Sequence, residues 1–239
     1  MGICGSRGAM FHDRFTTWDD VRASEPPRGP PAGSSACPGV SESVPVLVPP
    51  RVAGLRSSGF EDTGLILAID NTGSNDVKGW GGKGLHDLDH WAVADGRPAT
   101  PYEVVLSALG DRMLSILDRD SVVPVLGFGD SVTTTHGSGC RALGEARCIA
   151  DALALYRDYV CDERIGKSGP TSFAGVIARA MDRVRETRRF HTLIILTDGA
   201  VDDEPDSGGP SPTAEAIVAA ASLPLEIIAV GIGTGPVSG

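Results

Sequence analysis

The stretch "LILAIDNTGSND", residues 65–76, begins as a strand and ends as something else. Leu65 to Ile69 are apolar without a break, as in a strand buried in a core. They run straight into an acid, an amide, a hydroxyl, a glycine, a second hydroxyl and a second amide. Taken alone, Asp70 is most simply a turn or capping residue. The alternation of Asp70, Thr72 and Ser74 opens another reading. Asn71 and Gly73 then act as spacers that point three oxygen-bearing side chains the same way, as one edge of a metal site needs.

Outward from this stretch, strands and helices alternate. "TPYEVVLSALGDRMLSILDRD" (100–120) has apolar residues at helical spacing, with Thr100 as N-cap and Pro101 at the first helical position. "SVVPVLGFGD" (121–130) is a strand, and the polar "SVTTTHGSGCRALGEAR" (131–147) reads as an edge strand and loop. "CIADALALYRDYV" (148–160) and "TSFAGVIARAMDRVRET" (171–187) read as helices, the second with Phe173, Val176, Ile177, Ala180 and Val184 on one stripe. "HTLIILTDG" (191–199) is a strand covered on both faces. "SPTAEAIVAAASL" (211–223) is a helix and "PLEIIAVGIG" (224–233) a last strand. This order predicts an α/β fold, a doubly wound and mostly parallel sheet flanked by helices. Ligands of such sheets bind outside the carboxyl ends of the strands, where this chain places its acids.

Three segments converge there: Asp70, Thr72 and Ser74 after the first strand, Thr171 in "SGPTSF", and Asp198 in "LTDG". Singly, Thr171 is an N-cap and Asp198 a strand-end turn. Jointly, two acids, three hydroxyls and solvent waters suit a hard divalent cation such as Mg2+, which takes oxygen ligands and keeps waters.

At this point the chain resembles a known family. D-x-T-x-S, a Thr before a helix and T-D-G look like the metal-ion-dependent adhesion site of von Willebrand factor A (vWA) domains. "GLILAIDNTGSND", "PYEVVLSALG", "VVPVLGFGD", "SGPTSFAGVI", "HTLIILTDGAV" and "LPLEIIAVGIGTGP" resemble, in order over about residues 52–236, the A domain of copines. They are also similar to the copine-like A domain of plant RING-type ubiquitin ligases. The resemblance implies a vWA/Rossmann-like fold in which Asp70, Thr72, Ser74 and Thr171 ligate Mg2+ (or Mn2+ or Ca2+), with Asp198 close in. It implies a protein partner that offers an acidic side chain to the metal, with no catalytic residues. A substrate-recruiting role in protein ubiquitination is the alternative it implies. The chain ends at Gly239 without the Cys/His spacing of a RING, so it is expected to transfer no ubiquitin by itself, and its A domain to be incomplete at the C-terminus.

Composition bounds the remainder. A net charge of −10 argues against nucleic acid as a partner. Five cysteines without framework spacing read as reduced, intracellular thiols. Residues 1–60 form a separate region ahead of the domain at 61–239. "SEPPRGPPAGSSACPGVSESVPVLVPP" (24–50) is rich in Pro, Gly and Ser and reads as a disordered linker. "MGICGS" matches the N-myristoylation pattern at Gly2, with Cys4 available for a second acyl chain, which one-chain anchoring would need. The alternative is a start that matches by chance. The expected location is the cytoplasm or the cytosolic face of a membrane, with the nucleus also open on the resemblance.

Three weaker signals read blandly. "CDERIGKS" (161–168) lacks the first Gly and the preceding strand of a P-loop, and reads as a loop leading to Thr171. "HDLDH" (86–90) spaces His86 and His90 like a helical zinc site but lacks helical flanks, and reads as a surface loop. "DGAVDDEPD" (198–206) reads as a solvated acidic loop.

Overall fold

The computed structural model describes residues 63–77, 84–88, 99–113, 122–135, 139–199, 201–204 and 208–233. Gly2, Cys4, the stretch 24–50 and His90 lie outside them. The elements are β1 (Gly64–Asp70), α1 (Ser74–Val77), α2 (Pro101–Met113), β2 (Val123–Phe128), α3 (Ser131–Thr135) and β3 (Arg141–Ala146). They continue with α4 (Ile149–Val160), α5 (Ala174–Thr187), β4 (His191–Thr197), α6 (Pro212–Ala220) and β5 (Leu225–Gly231). The five strands form one sheet in the order β3-β2-β1-β4-β5. Strands β2, β1, β4 and β5 run parallel, and β3 lies antiparallel at the edge with a register shift opposite Val125 and Leu126. Among the described residues no helix is long and apolar enough to cross a membrane.

The unbroken apolar strands have their physical reason in two cores. Successive side chains of a strand point to opposite faces. Leu65, Leu67 and Ile69 of β1 join Tyr102, Val105 and Leu106 of α2 and Ala152, Tyr156 and Tyr159 of α4. Ile66 and Ala68 face the other way, onto Val176, Ile177, Ala180, Met181 and Val184 of α5. β4 divides likewise, Ile194 and Leu196 to the first core, Leu193 and Ile195 to the second. A doubly wound sheet of the vWA type is the result, as expected. Each fully buried aliphatic side chain is worth about 1.5–3 kcal/mol, so both faces contribute to holding β1 central.

Helix starts follow local chemistry. Thr100 N donates to Glu103 Oε2 at 2.6 Å and Glu103 N to Thr100 Oγ1 at 3.1 Å, a reciprocal capping box that fixes the start of α2. Ser211 accepts from Ala214 N at 3.2 Å ahead of Pro212, which caps α6. The helix expected from Thr171 starts only at Ala174, with Phe173 at the cap position. Phe173 N instead donates to Thr213 Oγ1 at 2.9 Å, so Thr171 does not cap α5. Among the described residues Cys140 and Cys161 are free thiols.

Candidate metal centre

β1 occupies the middle of the sheet, so its carboxyl end opens where β2 and β4 also end. Asp70 is its last residue and is fully buried. One carboxylate oxygen, Oδ1, accepts from Thr72 N at 2.8 Å, closing the turn that lifts the chain off the sheet. The other, Oδ2, accepts from the hydroxyl of Thr197 on β4 at 2.6 Å. Thr72 and Ser74 then stand on one side of the turn with their hydroxyl oxygens 2.9 Å apart. Thr171 reaches them from the loop between α4 and α5, its Oγ1 3.5 Å from Thr72 Oγ1. Asn75 is a brace rather than a member of the set: its Nδ2 donates to the Thr72 carbonyl at 3.2 Å.

Asp198 follows β4 directly and is almost fully buried. Burial first, and then the repulsion of the Asp198 charge, raise the Asp70 pKa to about 6, against hydrogen bonds from Thr197 and Thr72 that lower it. Thus two acids and three hydroxyls come together at one rim. Among the described residues no lysine or arginine forms an ion pair with Asp70.

Two buried acids beside three hydroxyls make an all-oxygen donor set, the kind that suits a hard, hydrated cation. Among the described residues no group of three or more His, Cys, Asp or Glu side chains could hold a metal. The fit is to an oxygen-ligated ion.

The loops that carry these oxygens are tied down by residues that sequence reading passed over. Gly73 N donates to the Ser168 carbonyl at 2.7 Å, and Ser168 N to the Gly129 carbonyl at 2.9 Å, so the loop 161–173 is stitched between β1 and β2. Thr171 N donates to the Asp202 carboxylate, while Asp202 N donates to the Thr171 carbonyl at 3.1 Å. Asp203 is buried, and its Oδ2 accepts from Ser172 and from both the amide and hydroxyl of Thr213. The acidic stretch after Asp198 is thus no merely solvated loop. Asp202 holds Thr171 in place, and Asp203 holds the neighbouring Ser172. No spacing announced this, because the pairing joins segments about thirty residues apart.

His86 is also not on the surface. It is buried, with Nε2 2.9 Å from the Asp70 carbonyl oxygen and Nδ1 3.0 Å from the Tyr156 hydroxyl. The loop 161–168, by contrast, follows helix α4 and leads to Thr171, as expected.

Comparison with known proteins bears on the family of the chain. A family model described as Copine matches residues 90–239, a span that contains Thr171 and Asp198 and begins after Ser74. The E3 ubiquitin-protein ligases RGLG5 and RGLG3 of Arabidopsis thaliana are each 38% identical, over 77% of this chain and 43% and 51% of their own lengths. Copine family protein 1 of Caenorhabditis elegans is 37% identical over 76% of this chain and 16% of its own. The chain therefore spans about half or less of the curated relatives it matches.

Proposed function

This chain belongs to the copine family, and on that premise we propose that it works as a divalent-cation-dependent protein-binding module. The observation that carries the reading is the meeting of buried Asp70 and Asp198 with the hydroxyls of Thr72, Ser74 and Thr171 at the end of the central strand. Asp70, Thr72, Ser74 and Thr171 would hold Mg2+, Mn2+ or Ca2+, with Asp198 beside them. When bound, the ion supplies an open coordination position that attracts a carboxylate. Thr197 and the amide of Thr72 orient Asp70 for that task, and Asp202 orients Thr171. An acidic side chain of a protein partner is the ligand that fits. An otherwise acidic protein would repel it without the ion.

Calorimetric titration with Mg2+ and Mn2+ tests this. Saturable binding by the wild type and none by Asp70→Asn is expected. No heat above dilution in the wild type overturns the reading.

A second reading rests on the names of the two Arabidopsis relatives. Here the same module recruits substrates for protein ubiquitination, with ubiquitin transfer supplied by a RING. Sequencing the transcript past the codon for Gly239 discriminates: a Cys/His zinc pattern favours this reading, and its absence favours the binding module alone. Attachment to a membrane surface through acyl chains on Gly2 and Cys4 is compatible with both.

A further inference from the structure

The proposed ligand loop is held from beneath by a buried network that neither the family match nor the metal pattern assigns. His86 Nε2 lies against the carbonyl oxygen of Asp70, which can only accept. The ring is buried with no carboxylate at either nitrogen, and in its neutral form it has a single N–H. That proton must sit on Nε2. Nδ1 is then an acceptor, and the Tyr156 hydroxyl donates to it at 3.0 Å.

Tyr156 has thereby spent its proton, so the Thr100 hydroxyl, 2.7 Å away, must donate to Tyr156. Thr100 Oγ1 in turn accepts from Glu103 N in the capping box of α2, and Glu103 pairs with Arg157 of α4. One carbonyl thus sets the direction of the His86, Tyr156 and Thr100 hydrogen bonds along a chain from Asp70 to α2. In parallel, the Tyr102 hydroxyl donates to Asn75 Oδ1 at 2.8 Å, and Asn75 braces Thr72. The His86 and Tyr102 rings lie 4.3 Å apart, which joins the two chains. His86, Tyr102 and Tyr156 are all buried.

We propose that His86 is a positioning residue for the metal centre, locking the Asp70 main chain to α2 and α4 so that Asp70, Thr72 and Ser74 keep the spacing an ion requires. The inference rests on the metal reading above. Groups that orient ligands from behind commonly govern metal affinity about ten- to a hundredfold, which is the size of effect at stake.

The test is Mg2+ and Mn2+ calorimetry on the full chain, with thermal melts alongside. His86→Phe keeps a ring against Tyr102 but loses both hydrogen bonds, whereas His86→Gln can donate to Asp70 and accept from Tyr156. Leu193→Ala, in the opposite core, controls for general destabilisation. Affinity should fall roughly tenfold or more in His86→Phe and stay near wild type in His86→Gln and Leu193→Ala. Wild-type affinity in folded His86→Phe overturns the positioning role and leaves the metal reading standing. No binding by the wild type removes both. Should His86→Phe fail to fold, Tyr156→Phe decides: weakened binding supports the role, and unchanged binding overturns it.

Discussion

On the proposed reading, Asp70 concentrates the conflict between stability and metal binding in one side chain. It is fully buried beside a second acid, and its pKa is raised to about 6 from an ordinary 3.8. An acid of this kind keeps its proton to higher pH in the folded state than in the unfolded chain. Stability of the metal-free protein therefore falls as pH rises from about 4 to about 6, by roughly 3 kcal/mol at most, and levels off above that. Urea denaturation in EDTA at several pH values, compared between wild type and Asp70→Asn, isolates this contribution; a difference that is flat with pH contradicts it. Asp70→Asn should also raise the melting temperature of the metal-free protein at pH 7.5. Its neutral amide can still accept from Thr72 N and donate to Thr197, while any rise in melting temperature on adding Mg2+ is lost. Asp70→Ala is a blunter instrument, since it leaves a buried amide and a buried hydroxyl without their acceptor.

At the scale of elements, the site depends on how closely the ends of β1 and β2 approach. Gly129, just past β2, has φ +73°, and a Cβ there would stand 2.3 Å from Thr72 Cγ2. Both the left-handed backbone and the missing side chain are required at that point. Gly129→Ala should cost about 2 kcal/mol or more by chemical denaturation and weaken Mg2+ binding, because Thr72 is what must move. A variant with unchanged affinity would show that the β2 end does not position the ligand loop. The strands and most helices were legible in the sequence because each buries a periodic apolar face. "HTLIILT" has no polar face because β4 has helices on both sides. The polar stretch 131–147 read as an edge strand and loop, and β3 is that edge strand, but the short helix α3 at its start carries no apolar periodicity to announce it. Thr171 misled as a helix cap because α5 starts only at Ala174, whose N–H reaches Ser172 Oγ, while Phe173 N donates to Thr213 from a distant segment.

Across the whole molecule, the three groups of proposed ligands could be read from sequence because each sits at the end of its own strand or loop. Their supports could not, because they are long-range contacts. Asp202 to Thr171, His86 to Asp70 and Tyr102 to Asn75 join segments that no local spacing relates. The "HDLDH" stretch illustrates the limit: its first histidine is buried under Asp70, and only the folded chain shows why. At this scale, too, belongs the proposed acylation. Replacing Gly2 with Ala should move the protein from membranes to the soluble fraction on cell fractionation, and an unchanged distribution contradicts that proposal. The central claim is that an oxygen-ligated divalent ion sits at the end of β1. Its most direct test is the anomalous difference density of crystals grown with Mn2+. The account predicts one strong peak within about 2.2 Å of oxygens from Asp70, Thr72, Ser74 or Thr171. A well-ordered site with no peak there, or a peak only elsewhere, would contradict it.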